Sequence, residues 1–123
     1  MDDIETLSLL GNVSRLRIVA LLVDSELCVC ELEEITGIRQ VNISKHLHRL
    51  RQAGVVSSRR EKQRVFYYLT ETFLSREALL SHIVNLVSEI PQLRTDRERF
   101  LAHEQDKDEQ VYVCNVFKKE NLS

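Results

Sequence analysis

Residues 26–34 read "ELCVCELEE" and put two thiols, Cys28 and Cys30, one position apart among Glu26, Glu31, Glu33 and Glu34. The third cysteine, Cys114, lies far downstream in "VYVCNVF". Paired thiolates can capture a soft ion or cycle as a dithiol, and small buried thiols can also be plain apolar filler. The carboxylates argue against an activated dithiol, because neighbouring negative charge raises a thiol pKa. A thioredoxin-like βαβ pattern, a Ser/His/Asp arrangement, a phosphate loop and paired catalytic carboxylates are all missing from the sequence pattern, so no enzyme is expected. One geometric difficulty attends ion capture. In a regular helix, positions i and i+2 point about 200° apart, so co-ligation by Cys28 and Cys30 requires the helix start to be unwound.

The net charge of −2 conceals a segregation. Residues 1–35 carry eight acids and two bases, residues 36–70 eight bases and one acid, and residues 71–123 ten acids and seven bases. A central block of +7 in an otherwise acidic chain is an electrostatic footprint for a polyanion, although charge runs also form ordinary solvated faces. The N-terminal "MDDIETLS" lacks the basic start and apolar run of a secretory signal, and "IVALLV" and "LLSHIVNLV" are too short or too polar to span a bilayer. A cytoplasmic protein without membrane contact is expected, where thiols serve as ligands or redox groups rather than structural disulfides.

Only three glycines and one proline in 123 residues point to a helix-rich chain. "DDIETLSLLG" reads as a short helix closed at Gly11, and "SRLRIVALLVD" as a buried helix with Ser14 as N-cap. "CVCELEEITG" follows as a short helix ending at Gly37, then the turn "GIR", then "QVNISKHLHRLRQAG". In this last segment Ile43, Leu47 and Leu50 form a buried stripe, while Val41, Lys45, His48 and Gln52 point away. His46 lies at the edge of the stripe as a packing residue. "VVSSRR" and "RVFYYL" read as a hairpin around "EKQ", and a long helix spans 73–90 with its stripe Leu79, Ile83, Leu86, Val87 and Ile90 free for another subunit. Pro91 breaks or restarts the helix, "QDKDEQ" is a charged spacer, and "VYVCNVF" alternates like a strand. The expected division is a domain over 1–104 and a tail over 105–123. The fold class is mainly α with a β-hairpin: a winged helix-turn-helix whose long C-terminal helix serves dimerisation.

"SRLRIVALL", "ELCVCEL", "ISKHLHRLRQAGVV", "SRR" and "VFYYL" together resemble the ArsR/SmtB family of metal-responsive repressors over roughly residues 5 to 90. The resemblance implies a homodimer on a palindromic double-stranded operator, released when an inducer binds. "ELCVC" is similar to the metal box of arsenite and antimonite sensors and of some cadmium, lead or zinc sensors. Four departures stand out. Glu33 occupies the position of the usual third cysteine, and the long helix offers only His82 and Glu89 towards the family's other metal site. The wing lacks its usual glycine, and Arg39 stands where the reading helix usually has a small N-cap, an unfavourable place for a cation unless a phosphate compensates.

At the positions matching the family's reader stand Gln40, Val41, Asn42, Ser44 and Lys45, with Arg59, Arg60, Lys62 and Arg64 on the wing. Gln and Asn suit adenine, Lys suits guanine, Val41 suits a thymine methyl, and the wing bases suit phosphate or minor groove. Three thiols and no fourth suit the three-coordinate chemistry of As(III) or Sb(III), so Cys28, Cys30 and Cys114 are the expected ligands. Cd, Pb or Zn is the alternative, needing a Glu, His or water besides, and a redox- or persulfide-sensing repressor is another. His82 and His103 are expected at a surface or interface.

Overall fold

A computed structural model describes residues 1–108 of the chain. Cys114 and the "VYVCNVF" strand therefore lie outside the described residues. The elements run α1 (Asp3–Leu10), α2 (Val13–Leu22), β1 (Leu27–Cys28), α3 (Val29–Thr36), α4 (Gln40–Gln52), β2 (Val56–Glu61), β3 (Arg64–Leu69), α5 (Glu71–Leu74), α6 (Glu77–Glu89) and α7 (Pro91–Asp108). The three strands form one antiparallel sheet in the order β1-β3-β2. Helices α3 and α4 with the β2–β3 hairpin make the expected winged helix-turn-helix. No helix is long and apolar enough to cross a membrane.

Local chemistry accounts for most boundaries. Asp2 Oδ1 accepts the Ile4 N–H at 2.9 Å and starts α1. The N-cap of α2 is Asn12, not Ser14: Asn12 is extended and its Oδ1 takes the Arg15 N–H at 3.1 Å, which leaves Ser14 inside the first turn. Gly37 closes α3 at φ 77°, a conformation that a side chain would strain. The wing turns at Lys62, which adopts φ 55° where glycine would be unstrained.

The long helix expected over 73–90 is two helices. Thr70 caps the single turn of α5, and its Oγ1 accepts the Phe73 N–H at 3.2 Å, which anchors the fully buried Phe73. Ser75 Oγ donates to the Thr72 carbonyl at 2.7 Å, Arg76 leaves the helical region, and α6 starts afresh at Glu77. The expected α6 stripe lies partly against the chain's own core. Ile83 is buried and Leu79, Leu86, Val87 and Ile90 pack partly on the chain's own core. Ile90 is extended, as a residue before proline tends to be, and Pro91 opens α7. Helix α7 then continues through Gln105 to Asp108, where a charged spacer was expected.

The core joins Ile18, Leu27, Leu32, Ile35, Ile43, Leu47, Leu50, Phe73 and Leu93, so helices α2, α3, α4 and α7 share one apolar centre. A buried ion pair fastens α7 to it. Arg17 on α2 donates from Nε and Nη2 to both oxygens of Asp96 on α7, at 2.8 and 2.9 Å, and from Nη2 to the Thr36 carbonyl at 2.7 Å. One guanidinium thus ties α2, α7 and the C-terminus of α3. Asp96→Ala leaves that cation buried without its carboxylate and is expected to cost about 3–5 kcal/mol in urea unfolding. The Arg17→Met/Asp96→Leu pair should recover most of the loss, and an unperturbed Asp96→Ala midpoint would remove the pair from the stability of α7.

Candidate thiol site and nucleic-acid interface

Cys28 is the last residue of β1 and the residue before α3, with φ −90° and ψ 168°. Its strand pairs with β3, Cys28 opposite Phe66 and Leu27 opposite Tyr67. Cys30 sits one residue inside the helix. The switch from strand to helix therefore falls between the two thiols, and the 200° divergence of a continuous helix does not arise. The two sulfurs stand 3.2 Å apart, both buried, with Phe66 packed against them. No unwinding of the helix start is needed to bring them together.

Two charged side chains frame the pair. Arg64 Nη2 lies 3.3 Å from Cys28 Sγ and 4.0 Å from Cys30 Sγ, with its guanidinium 5.4 Å from the Phe66 ring centre. Glu31, fully buried, accepts the Cys28 N–H at 3.2 Å through Oε1, the return half of a capping box. Burial pushes the Cys28 thiol pKa up and the Glu31 charge adds to that, while the Glu31 backbone N–H directed at the sulfur and the charge of Arg64 oppose it. On the far side of Glu31, Oε2 meets His103 Nε2 at 2.6 Å and Lys107 Nζ at 3.2 Å, both from α7. His103 is thus buried against α3 rather than set on a surface. Burial alone would raise the Glu31 pKa, yet the bonds from His103 and the Cys28 N–H, with the Lys107 charge, hold it at about 2.

Sequence reasoning missed both Glu31 and the use made of Glu33. The Glu33 carboxylate accepts the Gln40 N–H at 2.9 Å and Gln40 Nε2 at 3.2 Å. Arg39 supplies no side-chain cap to α4, so a carboxylate from the preceding helix does so instead and offsets the misplaced cation. The residue in the third-cysteine position holds the start of α4. A Glu three residues after an N-cap was the available signal for Glu31, hidden because Cys28 is an unusual N-cap.

On α4, Ile43, Leu47 and Leu50 are buried, and Val41, Asn42, Ser44 and Lys45 are exposed side by side on the outer face, Val41 at 59%. Gln40 is half-buried by its tie to Glu33. His46 lies at the edge as expected, its Nδ1 3.4 Å from Arg15 Nη1, and burial followed by the charges of Arg15 and Arg49 lowers its pKa. On the wing, Arg60 and Lys62 are exposed. Arg59 is exposed but engaged, pairing with Glu26 at 2.7 Å and Glu61 at 3.0 Å and lying 4.9 Å from the Phe66 centre. Arg64 points to the thiols. The nine expected DNA contacts thus divide into an open set, Val41, Asn42, Ser44, Lys45, Arg60 and Lys62, and a set already partnered, Gln40, Arg59 and Arg64.

Residues 12–58 match the profile of a family described as "Bacterial regulatory protein, arsR family". The Vibrio cholerae transcriptional activator HlyU is 40% identical over 76 residues, 62% of this chain and 70% of that protein. The arsenic resistance transcriptional regulator ArsR1 of Pseudomonas putida is 43% identical over 61 residues, 49% of this chain and 48% of that protein. Among solved structures, reduced HlyU aligns with a TM-score of 0.60 at 33% identity over 72% of this chain and 87% of its own. The homodimeric winged helix-turn-helix domain Mb0332 of Mycobacterium bovis aligns with a TM-score of 0.58 at 29% identity, over 66% and 76% of the two chains.

Because Glu31 stays ionised in the folded chain down to about pH 2 and protonates near 4.5 when unfolded, its contribution is complete above pH 4.5 and is lost as pH falls towards 2. Glu31→Gln is expected to cost about 3 kcal/mol at pH 7. The gap between it and the parent protein, followed by urea unfolding, should narrow through that window. A gap independent of pH would show that the carboxylate charge does not hold the corner.

Proposed function

Since the chain belongs to the ArsR family of transcriptional regulators, we propose that it is an operator-binding repressor, working as a homodimer, whose inducer is As(III) or Sb(III) captured as thiolates by Cys28, Cys30 and Cys114. The observation that carries the inducer reading is the 3.2 Å approach of the two buried sulfurs. With sulfur–ion bonds of about 2.3 Å, that separation subtends about 88°, near the right angle of a trivalent pyramidal centre and well under the tetrahedral value of about 109°. The fit favours a three-coordinate pyramidal centre over tetrahedral Cd or Zn, and soft thiolates select a soft ion. The Pseudomonas putida relative is an arsenic resistance regulator, in agreement with this reading.

Two connections lead from the thiols to the DNA-reading parts. Helix α3 carries Glu33, whose carboxylate holds the first N–H of α4, so a shift of α3 moves the start of the reader. Strand β1 is paired with β3, and Arg64 reaches from β3 to Cys28, so the wing feels the same event. A coupling of about 1–3 kcal/mol between inducer and operator is the ordinary size for such linkage. Val41, Asn42, Ser44 and Lys45 would read base edges, with Gln40 fixing the helix start and, on exchange of its Glu33 bond, joining them. Arg60 and Lys62 would meet phosphate. Arg59 and Arg64 would do so only by leaving Glu26 and the thiols. Exposed Ile4 and Leu7 on α1 and Leu101 on α7 suit a subunit contact.

A redox or persulfide response is the second reading, favoured by the guanidinium of Arg64 beside Cys28, which stabilises a thiolate. Operator release by arsenite, by cadmium and by peroxide, each under controlled reduction, separates the readings. Cys28→Ser or Cys30→Ser should leave operator binding intact and abolish release by arsenite, and Cys114→Ser should lower the sulfur coordination number seen by X-ray absorption from about three to two. Release by peroxide alone would overturn the metalloid reading. Lys45→Ala should weaken binding and relax specificity, whereas Arg60→Ala with Lys62→Ala should lower affinity on all sequences and flatten the salt slope by about one per lost phosphate contact. An unchanged slope would take the wing off the DNA.

A further inference from the structure

Next to the thiols lies a second group of ligand-type side chains that a thiolate-held inducer does not touch. Glu31 on α3 and His103 and Glu104 on α7 bring two carboxylate oxygens and an imidazole nitrogen within 4.8 Å of one another. Glu31 and His103 are buried and Glu104 is half-buried. The group joins two helices 72 positions apart in sequence, so it is no local accident of one acidic helix face.

Two further features point to a cation. The Oε1 atom of Glu104 takes no hydrogen bond among the described residues, only a longer ion pair with Lys107, which leaves room for a better-placed cation. Lys107 places its ammonium 3.2 Å from Glu31 Oε2 and 3.6 Å from Glu104 Oε1. A positive charge therefore already stands where the two carboxylates converge, carried by a flexible, one-third exposed side chain that can swing away. The two oxygens of Glu31 divide the labour. Oε1 holds the Cys28 N–H and Oε2 faces His103 and Lys107, so an ion on Oε2 leaves the start of α3 intact.

We propose that Glu31, His103 and Glu104 form a binding site for a borderline divalent cation of the zinc type, distinct from the thiols. One imidazole and two carboxylates with a water make a four-coordinate set for such an ion, and the two carboxylate charges balance it. The ion replaces the Lys107 ammonium and the proton that His103 Nε2 shares with Glu31, which passes to solvent, and clamps α7 onto α3 beside Cys28. It would give the regulator a second input, set by a harder ion than the thiols select.

Cobalt(II) serves as the probe, followed by its visible d–d absorption in the reduced full-length chain. In the thiol-free variant Cys28→Ser/Cys30→Ser/Cys114→Ser, one cobalt per protomer is expected to bind without a sulfur charge-transfer band and to be displaced by zinc. In that background Glu104→Gln should weaken cobalt binding at least tenfold, and Lys107→Ala should tighten it about tenfold by removing the competing charge. Glu104 is partly exposed, so its variant should fold, and circular dichroism checks this. His103→Asn should abolish the d–d bands. Loss of cobalt binding on removing the thiols, or affinities unmoved by both Glu104→Gln and Lys107→Ala, would overturn the site. Failure of arsenite to release the operator would count against the inducer reading alone and leave this site standing.

Discussion

A single buried carboxylate sets the arrangement of the sensing end. Glu31 has no contact with water, and it is ionised because three donors from three directions reach it. The Cys28 N–H fixes the first turn of α3, while His103 and Lys107 bring the last turns of α7 onto the same spot. An ionised group in an apolar interior is tolerated only with such satisfaction. The position of Cys28, the site of the strand-to-helix switch and the docking of α7 are therefore consequences of one charge. Arg17 and Asp96 repeat the device nearer the start of α7, with a buried carboxylate and a half-buried guanidinium, so α7 is held at two ionic points along its length.

Much of the DNA-reading half was legible in the sequence because its determinants are local. The stripe Ile43, Leu47 and Leu50 has helical period, the wing strands have alternation and β-branched residues, and Gly37 occupies the left-handed position its place after "EEIT" implied. The errors share another origin. Strand β1 is two residues long and exists because β3 pairs with it, and the capping Glu31 three residues on is a weak mark of the helix start because Cys28 is an unusual N-cap. His103 reads as a lone polar residue until its partner 72 positions away is known. Arg64 reads as one more wing base until Phe66 and the sulfurs give it somewhere to go. The break at Ser75 and Arg76 needed side-chain hydrogen bonds that no periodicity reports.

Glu33 shows how a departure from a familiar pattern acquires a physical meaning. In the third-cysteine position it supplies no sulfur, and its carboxylate instead caps α4. The exchange removes a ligand from the site and adds a rigid link from α3 to the reader. That link is worth having here, because Arg39 leaves the helix start uncapped and adds an adverse charge to it. On the proposed reading, two well-placed sulfurs would anchor the ion and a further ligand would come from elsewhere.

On the proposed reading, charge rather than bulk would be the signal at this corner. The Cys28 thiol is buried beside an ionised carboxylate, which with burial raises its pKa, and one guanidinium leans on it. Converting thiols to ion-bound thiolates changes the charge a few ångströms from Glu31 and Arg64. Arg64 belongs to the wing and Glu31 holds α7, so both must readjust to any such change, and α3 lies between them. Buried electrostatic interactions are long-ranged and weakly screened, whereas packing changes fade within a contact. Glu31 and Arg64 tie α7 and the wing to the Cys28 corner, and Glu33 ties α3 to the start of α4.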